Sequence, residues 1–154
     1  MTLNEDRLSE PLAVPPSAAK SLQMSRVRTH GTRLELYVRS RLHNAGRRFR
    51  VQRRDLPGSP DLVLPRFRFA VWVHGCFWHA HNCLKGTSLP KRNAEFWRAK
   101  LASNARRDEL TANAVLSLGW EPVVIWECQL EDGVEALLRR CDEADAPQSH
   151  VTAV

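Results

Sequence analysis

Cys76, His81 and Cys83 form the string Cys-x4-His-x-Cys, and Cys128 directly follows a strand-like stretch, Pro122–Trp126. Three soft donors in one segment and a fourth from a strand end match a closed tetrahedral zinc site. With protein at every position, such a zinc is structural. It would also fix the segment from Gly75 to Arg92, which shows no element of its own and is long for a loop in a compact domain. Structural zinc contributes on the order of 10 kcal/mol to folding. The competing reading is ordinary buried thiols, and His79 is a competing ligand. Cys141 reads as a small core residue, and disulfides are not expected in a cytoplasmic chain.

A second group of residues could do hydrolytic chemistry. Pro60-Asp61 opens a strand after the turn Leu56-Pro-Gly-Ser-Pro60, and the apolar run Phe69–Val73 ends in His74. An Asp at one strand edge, with polar groups on its neighbour, is the core of many nucleases in which the carboxylate holds Mg²⁺ beside the scissile phosphate. Those nucleases place an acid and a Lys on the second strand. Neither is present here, so His74 and His79 are the nearest candidates to complete the site. The bland alternative makes Asp61 a turn residue. Asp108 falls midway between Leu101 and Val115, on the side of a helix that also carries Trp97, Ala105 and Leu118. A carboxylate on such a face is costly unless paired. A His partner would become a better base; Arg106 or Arg107 is the other candidate partner.

These residues need elements to hold them. Thr32-x-x-Glu35 is a capping box opening a helix that runs to about Ala45 and stops at Gly46. Its apolar face carries Leu34, Tyr37, Val38 and Leu42. Strands are predicted at 49–52, 61–64, 67–74 and 122–126. One helix is predicted from an Asn93 cap to Leu118, and a last one from Asp132 to about Cys141. Helix, strands, helix, strand, helix is an α/β order with a mixed sheet flanked by helices.

The chain has 154 residues, one domain's worth, with 43% hydrophobic and 26% charged residues. No apolar run approaches the roughly 20 residues of a membrane helix. Glu5, Asp6 and Glu10 stand where a secretory leader would be apolar, so a cytoplasmic protein is expected. Residues 1–23, with Pro11, Pro15 and Pro16, read as a flexible tail; 24–141 reads as the domain and 142–154 as a flexible acidic tail. The net charge of +6 is concentrated between the tails, which are both net acidic. Arg26, Arg28, Arg33, Arg47, Arg48, Arg50, Arg53 and Arg54 make the N-terminal half of the domain basic, fit for phosphate contacts. Of five tryptophans, Trp72, Trp120 and Trp126 read as core. Phe77-Trp78 on the Cys/His segment suits insertion into a base stack; the alternative is a cover for the metal site, preferred for Phe96.

The strings Phe49-Arg-Val-Gln52, Leu56-Pro-Gly-Ser-Pro-Asp61, His74-Gly-Cys-Phe-Trp-His-Ala-His-Asn-Cys83 and Leu118-Gly-Trp…Val124-Ile-Trp-Glu-Cys128 follow one another along the chain. With Met24-Ser-Arg-Val-Arg28 and Thr32-x-x-Glu35, they closely resemble the very short patch repair (Vsr) mismatch endonucleases over about 24 to 130. The resemblance implies a restriction-endonuclease-like core and a Mg²⁺-dependent nick 5′ of the thymine in a T:G mismatch left by 5-methylcytosine deamination. It makes Asp61 the Mg²⁺ carboxylate, helped by the Val73 backbone carbonyl, His79 the general base and Asp108 its orienting carboxylate. His74 would contact the cleaved phosphate, and Glu35 would be a helix carboxylate near the site. Cys76, His81, Cys83 and Cys128 fall on the zinc ligands, and Phe77, Trp78 and Trp97 on the intercalating aromatics.

The implied partner is mismatched double-stranded DNA, with no membrane. A functional link to repair proteins or a cytosine methyltransferase, and a monomeric chain, are also expected. Ala80 and Asn82 stand where the family is often His, which bears on DNA context. The alternatives are a nickase of broader or different specificity, acting on modified or foreign DNA, and a non-catalytic zinc-stapled DNA-binding module.

Overall fold

The computed structural model describes residues 31–146. The expected tail 1–23, Arg26 and Arg28 at the start of the expected domain, and residues 147–154 lie outside the described residues. Helix α1 spans Arg33–Asn44 and opens on the expected capping box: Thr32 Oγ1 accepts from Glu35 N–H, and Glu35 Oε1 accepts from Thr32 N–H at 3.2 Å. The short strand β1 (Arg50–Val51) pairs antiparallel with β2 (Leu62–Leu64), and β2 pairs antiparallel with β3 (Phe69–His74). A one-turn helix α2 (Leu84–Thr87) and the long helix α3 (Ala94–Ser117) lead to β4 (Glu121–Trp126), which runs parallel to β3. A 3-10 turn (Glu127–Gln129) then opens helix α4 (Leu130–Asp145). The result is the expected mixed sheet, with four strands in the order β1-β2-β3-β4.

Five of the six residues of β3 are buried, because helices cover both faces of the sheet. Side chains alternate across a strand, so the sheet divides its apolar residues between two cores. Leu62, Leu64, Phe69, Val71 and Ile125 pack with Val38 and Leu42 of α1 and Val134, Leu137 and Cys141 of α4. Val63, Ala70 and Trp72 face the other way, with Leu56, Val115 and Trp120. Cys141 is thus the core residue expected.

Several boundaries differ from the sequence reading. β3 starts at Phe69, because Phe67 and Arg68 close a tight turn from Leu64 and Pro65, with Arg68 at φ 54°. Asn93 precedes α3 but adopts a left-handed conformation and makes no side-chain cap. The segment 75–92 contains α2. The last helix starts at Leu130 and runs to Asp145, so residues 142–145, expected in the acidic tail, are helical. Arg47 explains the extension: it pairs with Asp142 and, at 2.5 Å, with Asp145, while Arg66 reaches Asp145 at 2.6 Å. The buried side of α3 is Trp97, Leu101, Asn104 and Val115; Ala105 and Leu118, read as apolar-face residues, are exposed. Trp72 and Trp120 are core, but Trp126 is only half-buried.

Candidate active site and metal centre

The turn before β2 sets Asp61. Pro60 is fully buried, and the Gly58 carbonyl accepts from the Trp72 indole at 3.1 Å. Gly58 has φ +68°, and a Cβ there would stand 2.2 Å from Thr111 Cγ2 of α3. This close approach seats the turn between the sheet and α3. Asp61 Oδ2 then accepts from Val73 N–H at 2.8 Å, tying the carboxylate to the end of β3.

His74 ends β3 and is buried; His79 follows in the loop. Their rings stack with centroids 3.6 Å apart and 5° between planes. His79 Nδ1 lies 2.5 Å from Asp108 Oδ2 on α3. Both candidate partners reach Asp108: His79 hydrogen-bonds one oxygen, and Arg107 makes a long ion pair with the other at 3.9 Å. Burial, then the neighbouring His79, pushes the His74 imidazole down to about 4, and it stays neutral at physiological pH. Asp61, Val73, His74, His79 and Asp108 line one cleft of about 900 Å³, together with Glu35. Glu35 is buried and its oxygens are taken by Gly31 N–H (2.9 Å), Thr32 N–H, the Thr32 hydroxyl (2.9 Å) and Arg39 (3.0 Å). It reaches the cleft as part of the helix cap.

The four ligand atoms of Cys76, His81, Cys83 and Cys128 all lie within 4.8 Å of one another. Cys128 arrives in the 3-10 turn after β4, with its Sγ 3.4 Å from His81 Nδ1. The His81 ring stacks on Trp126 at 4.2 Å, which accounts for the half-burial of that tryptophan. Cys83 caps α2, its sulfur accepting from Gly86 N–H at 3.4 Å. A Cβ on Gly86 would meet the His81 carbonyl oxygen at 1.9 Å, so the loop closes here only with glycine. Glu127 binds the turn to the loop through Cys76 N–H (3.4 Å) and Lys85 (2.8 Å). Hydrogen bonding from His81 draws the Cys83 thiol down to about 6, while burial pushes Cys76 up to about 11. Three sulfurs and an imidazole make a donor set that could bind zinc.

His79 and His81 serve different centres although only Ala80 separates them. Ala80 has φ 50°, in the left-handed region, and this reversal turns one ring to Asp108 and the other to Cys128.

Phe77 and Trp78 are half-buried, while Trp97 is 7% exposed. The Phe77 and Trp78 rings meet edge to face at 5.1 Å, and Trp97 stands 5.5 and 6.1 Å behind them. Arg47 and Arg53 are committed to internal carboxylates, Arg53 to Asp55. Arg33, Arg48, Arg50 and Arg54 are exposed. The residue missed from sequence is Asn104, a buried amide whose Nδ2 donates to the Trp78 carbonyl at 2.9 Å. Its signal was a polar residue one helical turn after Leu101, within reach of the loop.

The family model described as DNA mismatch endonuclease Vsr matches residues 14–85, which include Asp61, both histidines of the stacked pair and three of the Cys/His cluster. The Type II nicking enzyme V.XorIIP of Xanthomonas oryzae pv. oryzae is 47% identical over 118 residues, 75% of this chain and 86% of the relative. The chain belongs to the Vsr family. The DNA mismatch endonuclease Vsr of Escherichia coli is 37% identical over 134 residues, 84% of this chain and 85% of the relative. The Type II nicking enzyme V.NmeAIP of Neisseria meningitidis is 34% identical over 116 residues, 75% and 82% of the two chains. Vsr membership makes the protein a DNA endonuclease, with the restriction-endonuclease-like core expected. No described helix is long and apolar enough to cross a membrane.

Proposed function

We propose that this protein nicks one DNA strand on the 5′ side of the thymine in a T:G mismatch, initiating very short patch repair of deaminated 5-methylcytosine in the cytoplasm. The observation that carries the reading is the His79–Asp108 pair in one cleft with Asp61 and Val73. Asp108 occupies Nδ1 of His79, which leaves Nε2 to take the proton of an attacking water. Asp108 also stabilises the imidazolium that results. His74 contacts the cleaved phosphate, and Glu35 supports the cleft from the α1 cap.

A carboxylate and a backbone carbonyl are hard oxygen donors that suit Mg²⁺, so Asp61 and the Val73 carbonyl would hold it. When bound, Mg²⁺ supplies charge stabilisation at the phosphate and the leaving 3′ oxygen. Cys76, His81, Cys83 and Cys128 would hold a structural zinc, since protein fills every position of a tetrahedral ion. Phe77 and Trp78 enter the base stack, with Trp97 as their support. Arg26, Arg28 and the exposed arginines of the domain contact phosphates. The protein acts as a monomer, linked in function to repair proteins or a cytosine methyltransferase.

The test is nicking of a labelled duplex panel with Mg²⁺: T:G in varied flanking sequence, matched duplexes and modified duplexes. Single-strand scission confined to T:G is expected. Equal nicking of matched or modified DNA would instead establish broader specificity; Ala80 and Asn82, which depart from the family's usual histidines, bear on this choice. Salt-sensitive binding with no scission would make the protein a DNA-binding module. Asp61→Ala and His79→Ala should abolish nicking in folded protein.

A further inference from the structure

The catalytic loop touches α3 at two consecutive residues. Asp108 holds the His79 ring, and Asn104 holds the carbonyl of Trp78 through Nδ2 at 2.9 Å. The two α3 residues are four apart and so lie one above the other on the same helix face. Asn104 is 9% exposed, yet its amide is directed to the loop rather than to solvent. The bonded carbonyl belongs to the peptide that joins Trp78 to His79. Holding that peptide fixes the backbone from which the His79 ring projects. The ring's own contacts, Asp108 at Nδ1 and the stacked His74 ring, set its plane but not the backbone from which it projects. Ring contacts and the peptide clamp together determine where Nε2 stands.

We infer that Asn104 is a positioning residue for His79: it clamps the Trp78–His79 peptide to α3 and thereby sets the base in line with the attacking water. The inference rests on the proposed role of His79 as the base. Misplacing a catalytic group by about 1 Å costs about 10²-fold in rate.

The experiment compares wild type with Asn104→Asp, Asn104→Ala and His79→Ala, all zinc-loaded, on the duplex that wild type nicks. Asn104→Asp keeps the volume but replaces the donor with an oxygen facing the Trp78 carbonyl. Both Asn104 variants should lose at least tenfold in kcat measured at saturating DNA and retain one zinc per chain. Proton NMR supplies a second readout, the downfield resonance of the His79 Nδ1–H shared with Asp108. It should shift or broaden in both variants, which loss of general stability measured well below the melting point would not cause. Wild-type kcat in Asn104→Asp, or an unmoved His79 resonance, overturns the inference while His79→Ala remains inactive. Activity in His79→Ala would instead overturn the role of the base itself.

Discussion

Asp108 and His79 are 2.5 Å apart although one lies within the long helix α3 and the other in the loop after β3. The pair joins the two elements in the cleft that Asp61 also lines. An Asn at 108 keeps the shape but loses the charge that favours imidazolium. Asp108→Asn should lower nicking by on the order of 10²–10⁴, the usual range for general-base catalysis. DNA affinity should be unchanged. Single-turnover nicking with a parallel binding titration checks this.

Cys128 is the one member of the Cys/His cluster outside the loop. On the proposed zinc role, Cys128→Ser should lose the metal and much of the on the order of 10 kcal/mol that structural zinc contributes. Elemental analysis should find less than one zinc per chain, and thermal unfolding should broaden or vanish. One zinc per chain in a stably folded variant would remove Cys128 from the ligand set.

Gly58→Ala should destabilise the turn that carries Asp61. The new Cβ meets Thr111 Cγ2 at 2.2 Å, and φ +68° is unfavourable for alanine. The expected loss is about 1–3 kcal/mol, with reduced nicking because Asp61 moves with the turn. Adding Thr111→Ser removes the clashing methyl and should restore part of the loss, leaving the backbone part. Denaturant unfolding of the single and double variants measures both parts.

Arg47 is basic in composition but already neutralised by Asp142 and Asp145. Arg47→Ala should lower stability and leave the salt dependence of DNA binding unchanged. Exposed Arg48 is the comparison: if it contacts a phosphate, Arg48→Ala should reduce the slope of log K against log salt by about 1. A reduced slope in Arg47→Ala would show that DNA displaces the internal acids.

Local chemistry was legible in the sequence. Thr32 and Glu35 cap α1 because both partners lie within one turn. Cys76, His81 and Cys83 assemble because one short segment carries them. Long-range choices were less legible. Ala105 and Asn104 are both about one turn from Leu101; apolarity favoured Ala105, but the Trp78 carbonyl gives Asn104 a reason to be buried. The end of α4 depended on Arg47, far back in the chain, so acidic composition alone read as a tail. Asp108 had two candidate partners until the loop path placed His79 against it. Trp126 read as core because it ends an apolar strand, while its ring lies against His81.

The left-handed turn at Ala80 makes the loop a joint between two distant parts of the chain. On one side His81 meets Cys128, 47 residues later in the chain; on the other His79 meets Asp108 of α3. Only one residue separates the two contacts, so a displacement of either is carried to the other through Ala80. The Cys/His cluster and the cleft therefore form one mechanical unit, and a change that loosens Cys128 should be felt at Asp108.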